Sequence, residues 1–484
     1  MDMEVIMEIL STKIHEKKSR PVKVLQFGEG NFLRAFIDWF IQEMNDKADF
    51  NGDVCVVQPL DFGRVEELRK QDGLYTLLLE GVSNGEVIHH KQVIDVLSDF
   101  INPYQEYERY LDYAKSEDLK IILSNTTEAG IAYDPSDTDE TVTSPTYPGK
   151  LLTFLKKRFD FFQGSKEAGL YILPCELIDH NGSTLKEYLN KLSLDRHYSE
   201  EFITWLNEAN LFYNTLVDRI VPGYPKDQIE RLQKEDGYID NNVVKGEIFH
   251  LWVIDGDPAI KTVLPIEKTD LNILVTDNVK PYKERKVKIL NGSHTCMVPI
   301  AYQYGVRAVN EMMNDEYLKN WLFAFLKEEV WPTIDLPQSE KEQFTNDVME
   351  RFMNPTIYHE LLTISLNSMT KYKTRVLPSA IGYYEKTNEL PKHSLFSLAS
   401  LFVMYSLKKE DGTSLVMDDP AFIEMWARLW KQNDVAALVQ EVMSMKDHWE
   451  YDFTQMKGSL DYVSQCVNDI LALGMKKALV KHFG

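Results

Sequence analysis

Three side chains in the stretch KVKILNGSH, those of Lys286, Asn291 and His294, offer an ammonium, an amide and an imidazole within a short length of chain. On a helix of 3.6 residues per turn they fall within about 140° of arc, so one face can present all three together. Groups of these kinds move protons and donate hydrogen bonds. Residue type alone leaves two readings open, because a helical lysine is usually solvated and a single histidine usually structural. A second chemical feature is Gly28-Glu29-Gly30, set between an apolar run and a helical pattern. Such a turn fits a pyrophosphate: the first glycine allows a tight bend, the second a close backbone approach, and the helix start faces the anion with partial positive charge. Leu33 stands where the usual fingerprint has its third glycine, and a plain turn is the competing reading.

Those residues need elements to hold them. Residues 22–27 (VKVLQF) read as a β-strand ending at the glycines, and Phe32, Leu33, Phe36, Ile37, Phe40, Ile41 and Met44 recur beyond at helical steps. A second strand over 54–57 completes a βαβ unit, the opening of a doubly wound sheet. Where an acid would grip the ribose of a dinucleotide, the chain has Gln58 and, slightly further on, Asp61. No arginine follows that strand at once to hold a 2′-phosphate, although Arg64 is near, so NAD is favoured over NADP. Residues 74–79 and 86–94 flank Asn84-Gly85 and predict a hairpin inserted in the nucleotide fold. Further strands are expected over 120–123 and 170–173. SNTTEAG (124–130) would follow the first of these, so its small polar groups stand either at the ligand end of a sheet or as helix caps. Beyond about Pro281 the pattern turns helical, over 315–327, 338–353, 395–407, 421–430 and 460–476. The fold expected is an α/β Rossmann-like N-terminal domain over 1–280 followed by an all-α C-terminal domain over 281–484.

Bulk properties restrict the partners. A chain of 484 residues with 44% hydrophobic and 26% charged side chains is too long for one ordinary core. Its formal net charge of -22 repels polyanions, so neither nucleic acid nor an anionic membrane is expected as a partner, and an anionic substrate needs a local cationic pocket. Cys55, Cys175, Cys296 and Cys466 lie far apart without zinc or redox spacing and are expected as reduced core residues. The charged N-terminal stretch lacks the core of a signal peptide, and the uncharged run 394–407 is short of the ~20 apolar residues that a spanning helix needs. A cytoplasmic location is expected.

In order along the chain, GEGNFLRAF (28–36), SNTTEAG (124–130), CELIDHNG (175–182), VDRIVP (217–222), FHLWVIDGD (249–257) and KVKILNGSH (286–294) resemble the motifs of the mannitol dehydrogenase family, the polyol-specific long-chain dehydrogenases. The resemblance runs from the first strand into the C-terminal half, and K-x-x-x-x-N-x-x-H is its specific element. It implies an oxidoreductase that moves hydride reversibly between NAD and the secondary alcohol or ketone of an open-chain sugar derivative. It further implies Lys286 as general acid/base, Asn181 and Asn291 as donors polarising the reacting oxygen, and His294 as a supporting contact. An ammonium can protonate the alkoxide as hydride arrives, provided its surroundings make the proton transferable. An amide donor aimed at the developing oxyanion is typically worth roughly 3 kcal/mol, so no metal is expected. The cofactor contacts expected are Phe27, Gly28, Glu29, Gly30, Asn31 and Phe32 around the turn, Gln58 and Asp61 after the second strand, and Asn125, Thr126 and Glu128 further on.

The chain departs from the family pattern after Arg351-Phe352-x-Asn354-Pro355. Thr363 stands in place of the usual arginine, the later lysine is kept as Lys371, and Arg375 adds a cation. Arg375, with Lys371, is therefore expected to grip a substrate carboxylate, which makes the substrate a uronate or aldonate; a surface salt bridge is the alternative. Asp218 is a further substrate candidate, unless it forms with Arg219 a buried pair bracing the domain junction. His250 and Trp252 read as core residues and His180 as a packing residue. The competing functions are turnover of other sugar acids or uncharged polyols by the same side chains, and nucleotide sensing without turnover.

Overall fold

A computed structural model describes residues 7–83, 85–127 and 129–484, so Asn84 of the hairpin turn and Glu128 of the expected cofactor contacts lie outside the described residues. The chain divides into two compact units, one of Met1–Gly81 and Ile88–Val279, the other of Val82–Val87 and Lys280–Gly484.

In the first unit, short runs of aliphatic residues form strands buried on both faces, as a parallel sheet covered by helices requires. Val22–Phe27 (β1), Asp53–Val57 (β2), Leu97–Ile101 (β3), Ile121–Ser124 (β4), Tyr171–Pro174 (β5) and Leu211–Phe212 (β6) pair in parallel in the order β3-β2-β1-β4-β5-β6. The order reverses between β1 and β4, and ligands of open α/β sheets bind at the crevice beyond the strand ends at such a point. Phe27 and Ser124 are in register there, so the turns that follow β1 and β4 leave the sheet side by side.

The predicted hairpin forms from Tyr75–Ser83 and Glu86–Ile94, with Gly85 at φ 78, and Val244–Glu247 adds a third strand to it. A further sheet of Asn214–Asp218, Leu251–Asp255 and Ile273–Thr276 was not legible in the sequence pattern. The single helix expected after β1 is instead two, Asn31–Ala35 (α1) and Ile37–Lys47 (α2), broken at Phe36 with φ -128 and ψ -75. Two distant donors account for the break: the Tyr75 hydroxyl donates to the carbonyl of Arg34 at 2.7 Å, and the Arg219 guanidinium donates to that of Ala35. Side chains inserted into the helical ladder kink it.

Asp38, on α2, is fully buried and its Oδ1 has no hydrogen-bond partner, nor does Oε1 of Gln26. Burial pushes its carboxyl up to about 7, against the pull of Arg34, Gln26 and Tyr75. A folded-state value above the unfolded one means stability that is complete below about pH 4 and is lost as pH rises through about 7. Asp38→Asn is therefore expected to flatten the fall in melting temperature between pH 5 and 8, a loss worth about 3 kcal/mol in the parent chain. Thermal melts at both pH values check this; an unchanged slope contradicts it.

The second unit contains no β-strand among its described residues apart from the hairpin tip; its isolated bridges are Ala308 with Glu360 and Lys408 with Ser414. The expected helices correspond to Glu316–Phe325, Gln338–Phe352, Lys392–Met404, Pro420–Lys431 and Ser459–Leu473. The last stops at Gly474, whose φ of 78 suits glycine, and Met475–Phe483 begins anew. Lys392–Met404 is apolar all round because all but its first residue are buried. Among the described residues no helix is long and apolar enough to cross a membrane. All four cysteines are buried and free of disulfides.

Candidate functional site

A cavity of about 420 Å³ opens in the first unit at the switch point, lined by Gly28, Glu29 and Gly30 after β1 and by Asn125, Thr126 and Thr127 after β4. Gly28 sits at φ 127, and a Cβ there would come within 3.0 Å of the Asn125 carbonyl oxygen and of Leu33, so both backbone shape and close approach exclude a side chain. Leu33 thus fills the space that a third fingerprint glycine would leave open. Gly30 is different: its φ is -68, and an added Cβ would meet nothing within 4 Å, so what its missing side chain leaves free is room for a ligand. The β4 turn is pinned from β5, because buried Glu176 accepts hydrogen bonds from the backbone N–H and hydroxyl of Thr126, each at 2.9 Å, and from the Ser124 hydroxyl at 3.0 Å. Thr127 is held at φ 75, a left-handed conformation costly for a β-branched residue.

Of the expected cofactor contacts, Gly28, Glu29, Gly30, Asn125 and Thr126 line this cavity. Phe27 is wholly buried against Tyr147, and Phe32 stacks on Phe36, so both side chains belong to the core. The Asn31 Oδ1 accepts from Arg34 at 2.6 Å, leaving the residue its Nδ2 and backbone N–H as donors. Gln58 is a correction: it is buried, its Nε2 donates to the Leu60 carbonyl at 2.9 Å and its Oε1 accepts from Val65, so it closes its own loop rather than reaching a ribose. Asp61 is exposed, and its neighbours Leu60, Phe62 and Gly63 line the cavity instead. Pro145, Thr146 and Tyr147 add a wall that sequence reasoning missed, since residues 129–145 carry no periodic pattern. Arg64 donates to Glu67, Asn241 and Asn242, so its guanidinium is committed within the unit. Burial raises the Glu29 carboxyl above the ordinary range, opposed by the Arg64 N–H that it accepts at 3.3 Å.

Asn181 requires a second correction. It is 1% exposed, its Nδ2 lies within hydrogen-bond distance of the carbonyls of Pro174, Glu176 and Thr215, and its Oδ1 accepts from the N–H groups of Gly182 and Thr215. An amide so engaged has no hydrogen left for a reacting oxygen; it staples the end of β5 to Asn214–Asp218. Asp218 is buried at the end of that strand. Arg219 does not pair with it: the guanidinium donates to the carbonyls of Ala35, Ile248 and Phe249 and lies over Trp39 at 4.2 Å. His250 is half-buried against Phe40 and Trp39, where desolvation lowers its pKa to about 3, and Trp252 packs in the core against Phe40; His180 is exposed.

In the second unit, Lys286–Asn291 is a π-helical turn that runs into the α-helix Gly292–Tyr304 (α3). Bonds from i to i+5 widen the turn, so the arc calculated for 3.6 residues per turn does not carry across it; π-turns recur at functional sites. Gly292 allows α3 to approach Ser368–Arg375 (α4) closely, since a Cβ there would sit 3.0 Å from the Arg375 carbonyl. His294 is 8% exposed, its ring lies 4.4 Å from that of Phe352 and 5.1 Å from that of His359, and its Nε2 has no hydrogen-bond partner. Burial, then the charges of His359, Arg351, Arg375 and Lys371, hold its pKa well below the usual value, so the imidazole is neutral. Lys371 donates to the Ile364 carbonyl at 2.8 Å and is pushed down by burial and by Arg375. Arg375 is partly buried, makes no hydrogen bond or ion pair among the described residues, and has its own pKa lowered by desolvation.

A doubly wound sheet with a glycine-turn cavity at its switch point, joined in one chain to a helical unit with a basic cluster around a neutral histidine, defines a two-unit dinucleotide-binding protein. Residues 22–268 match the mannitol dehydrogenase Rossmann domain and residues 278–471 the mannitol dehydrogenase C-terminal domain. The chain belongs to the mannitol dehydrogenase family. Altronate oxidoreductases of Escherichia coli and Shigella flexneri are each 41% identical to it over 465 residues, 95% of this chain and 96% of theirs. Its fold matches that of D-sorbitol dehydrogenase, with a TM-score of 0.81 at 21% identity over 97% of this chain and 99% of the other. It also matches Pseudomonas fluorescens mannitol 2-dehydrogenase, solved with NAD and D-mannitol, with a TM-score of 0.68 at 21% identity over 98% and 99%.

Proposed function

We propose that this chain is an NAD-dependent tagaturonate reductase, or altronate oxidoreductase, which interconverts the ketone of open-chain tagaturonate and the alcohol of altronate in hexuronate catabolism in the cytoplasm. The observation that carries this reading is the near-full-length likeness to altronate oxidoreductases. The unpaired, partly buried Arg375, with Lys371, supports an acidic substrate, since a guanidinium can bind a planar carboxylate through two hydrogen bonds. In this reading residues 1–280 are the nucleotide domain and 281–484 the helical domain that carries catalysis.

The glycine turn fits the cofactor, because Gly28 allows the bend and Gly30 leaves open the space a pyrophosphate would take. Arg64, spent on internal partners, is not available to a 2′-phosphate, which favours NAD. Bound NADH supplies the hydride. Lys286 gives its proton to the carbonyl oxygen as that oxygen gains charge, and takes it back in the oxidative direction. Asn291 donates to the same oxygen, and neutral His294 supports it through a ring nitrogen. Asn181 acts at one remove, holding the end of β5 in place.

Gly30→Ala tests the cofactor turn. Its methyl clashes with no protein atom, so the melting temperature should stay unchanged while NADH affinity falls about tenfold or more; equal affinity would remove the turn from the site. The assignment as a whole is tested by steady-state rates with tagaturonate, fructuronate and fructose, each with NADH and NADPH. Tagaturonate with NADH should be turned over best. Fructuronate ahead of tagaturonate would reassign the substrate, and fructose turned over as well as either would remove the carboxylate from recognition.

A further inference from the structure

A second cavity, of about 340 Å³, opens in the helical unit and is lined by none of the residues assigned above. Trp321, on Glu316–Phe325, and Phe483, at the end of the last helix, meet across it with ring centroids 6.1 Å apart and planes at 81°. Two π faces therefore stand nearly at right angles. His393 stacks on Phe483 at 4.5 Å and approaches Trp321 at 5.6 Å, and Tyr317 adds a further aromatic surface. Glu328 brings a carboxylate to this aromatic corner, with its side chain 61% exposed and a ring nitrogen of His393 4.0 Å away. Glu329, by contrast, is buried and accepts from the backbone N–H groups of His393 and Ser394, so its charge is spent on the start of the following helix. Among the described residues no lysine or arginine lines the cavity. Perpendicular aromatic faces and a largely exposed carboxylate, with no lysine or arginine among the described lining residues, make up the chemistry that recognises an alkylammonium ion, whose methyl groups pack on the rings while its charge is drawn by their negative faces.

We infer that this cavity binds a small alkylammonium ion, lodged in the corner that the Trp321 and Phe483 faces form and paired with Glu328. Neither the hydride-transfer reading nor its residues enter this argument, so the two stand or fall separately. Isothermal titration of the full-length protein with choline, and with the neutral isostere 3,3-dimethylbutan-1-ol at matched ionic strength, tests it. Choline should saturate one site and bind about tenfold tighter than the alcohol. Glu328→Gln should weaken choline about three- to tenfold and leave the alcohol unchanged, and Phe483→Ala should weaken both, with the far-UV circular dichroism spectrum and melting temperature of each variant retained as evidence of folding. Equal affinity for the two ligands, no saturation by choline, or choline affinity unchanged in both variants would overturn the inference.

Discussion

Lys286→Ala is expected to lower turnover of tagaturonate by two to four orders of magnitude, the usual range for loss of a positioned acid/base, while NADH binding stays within about twofold of the parent. The separation of effects follows from the chain itself, because the cavity at the switch point is lined wholly by residues of the first unit. Lys286 opens the π-turn, whereas its near neighbour Lys288 is tied to the Thr333 carbonyl at 2.8 Å and to Glu284 at 3.5 Å. Lys288→Ala should accordingly change stability more than chemistry, which makes it the control. Partial recovery of the Lys286→Ala rate by small primary amines would identify the missing group as a proton carrier. Full activity in Lys286→Ala would leave a nucleotide-binding protein with some other centre.

Arg375→Met should reduce kcat/KM for the uronate by about a hundredfold, the worth of a charge-assisted bidentate contact of about 3 kcal/mol, and should leave the slow reduction of fructose unchanged. Because the guanidinium has no partner among the described residues, its removal breaks no internal contact. A partly desolvated charge without a counter-ion costs stability, so the variant should melt no lower than the parent. These signs oppose those of a structural salt bridge, whose loss would lower the melting temperature and spare selectivity. Lys371→Met should show a smaller loss of uronate rate, since its ammonium already donates to Ile364.

The sequence reading located β1, β2, β4, β5 and the hairpin because each carries a local apolar pattern bounded by a turn signal. It also found both halves of the switch point, since Gly28-Glu29-Gly30 and Asn125-Thr126 each follow a strand directly. It went astray where a side chain's partner is remote. The family resemblance implies Asn181 as a donor to the reacting oxygen, whereas Thr215 meets both its oxygen and its nitrogen. The broken helix at Phe36 depends on Tyr75 and Arg219, neither of which a local window contains.

What the sequence by itself determined is the alternation of strands and helices, the glycine turn, the helical character beyond Pro281 and the order of chemical residues along the chain, all of which are set by short-range backbone preference and apolar periodicity. Only the tertiary structure decided which polar groups are spent on the fold and which remain for a ligand. Gln58, Arg64 and Asn181 are consumed by carbonyls, N–H groups and side chains that folding brings to them, whereas Arg375 and the Nε2 of His294 are left without partners. The physical reason is that a buried polar group must find a partner wherever the fold provides one, and that choice is made in space between residues the chain keeps far apart.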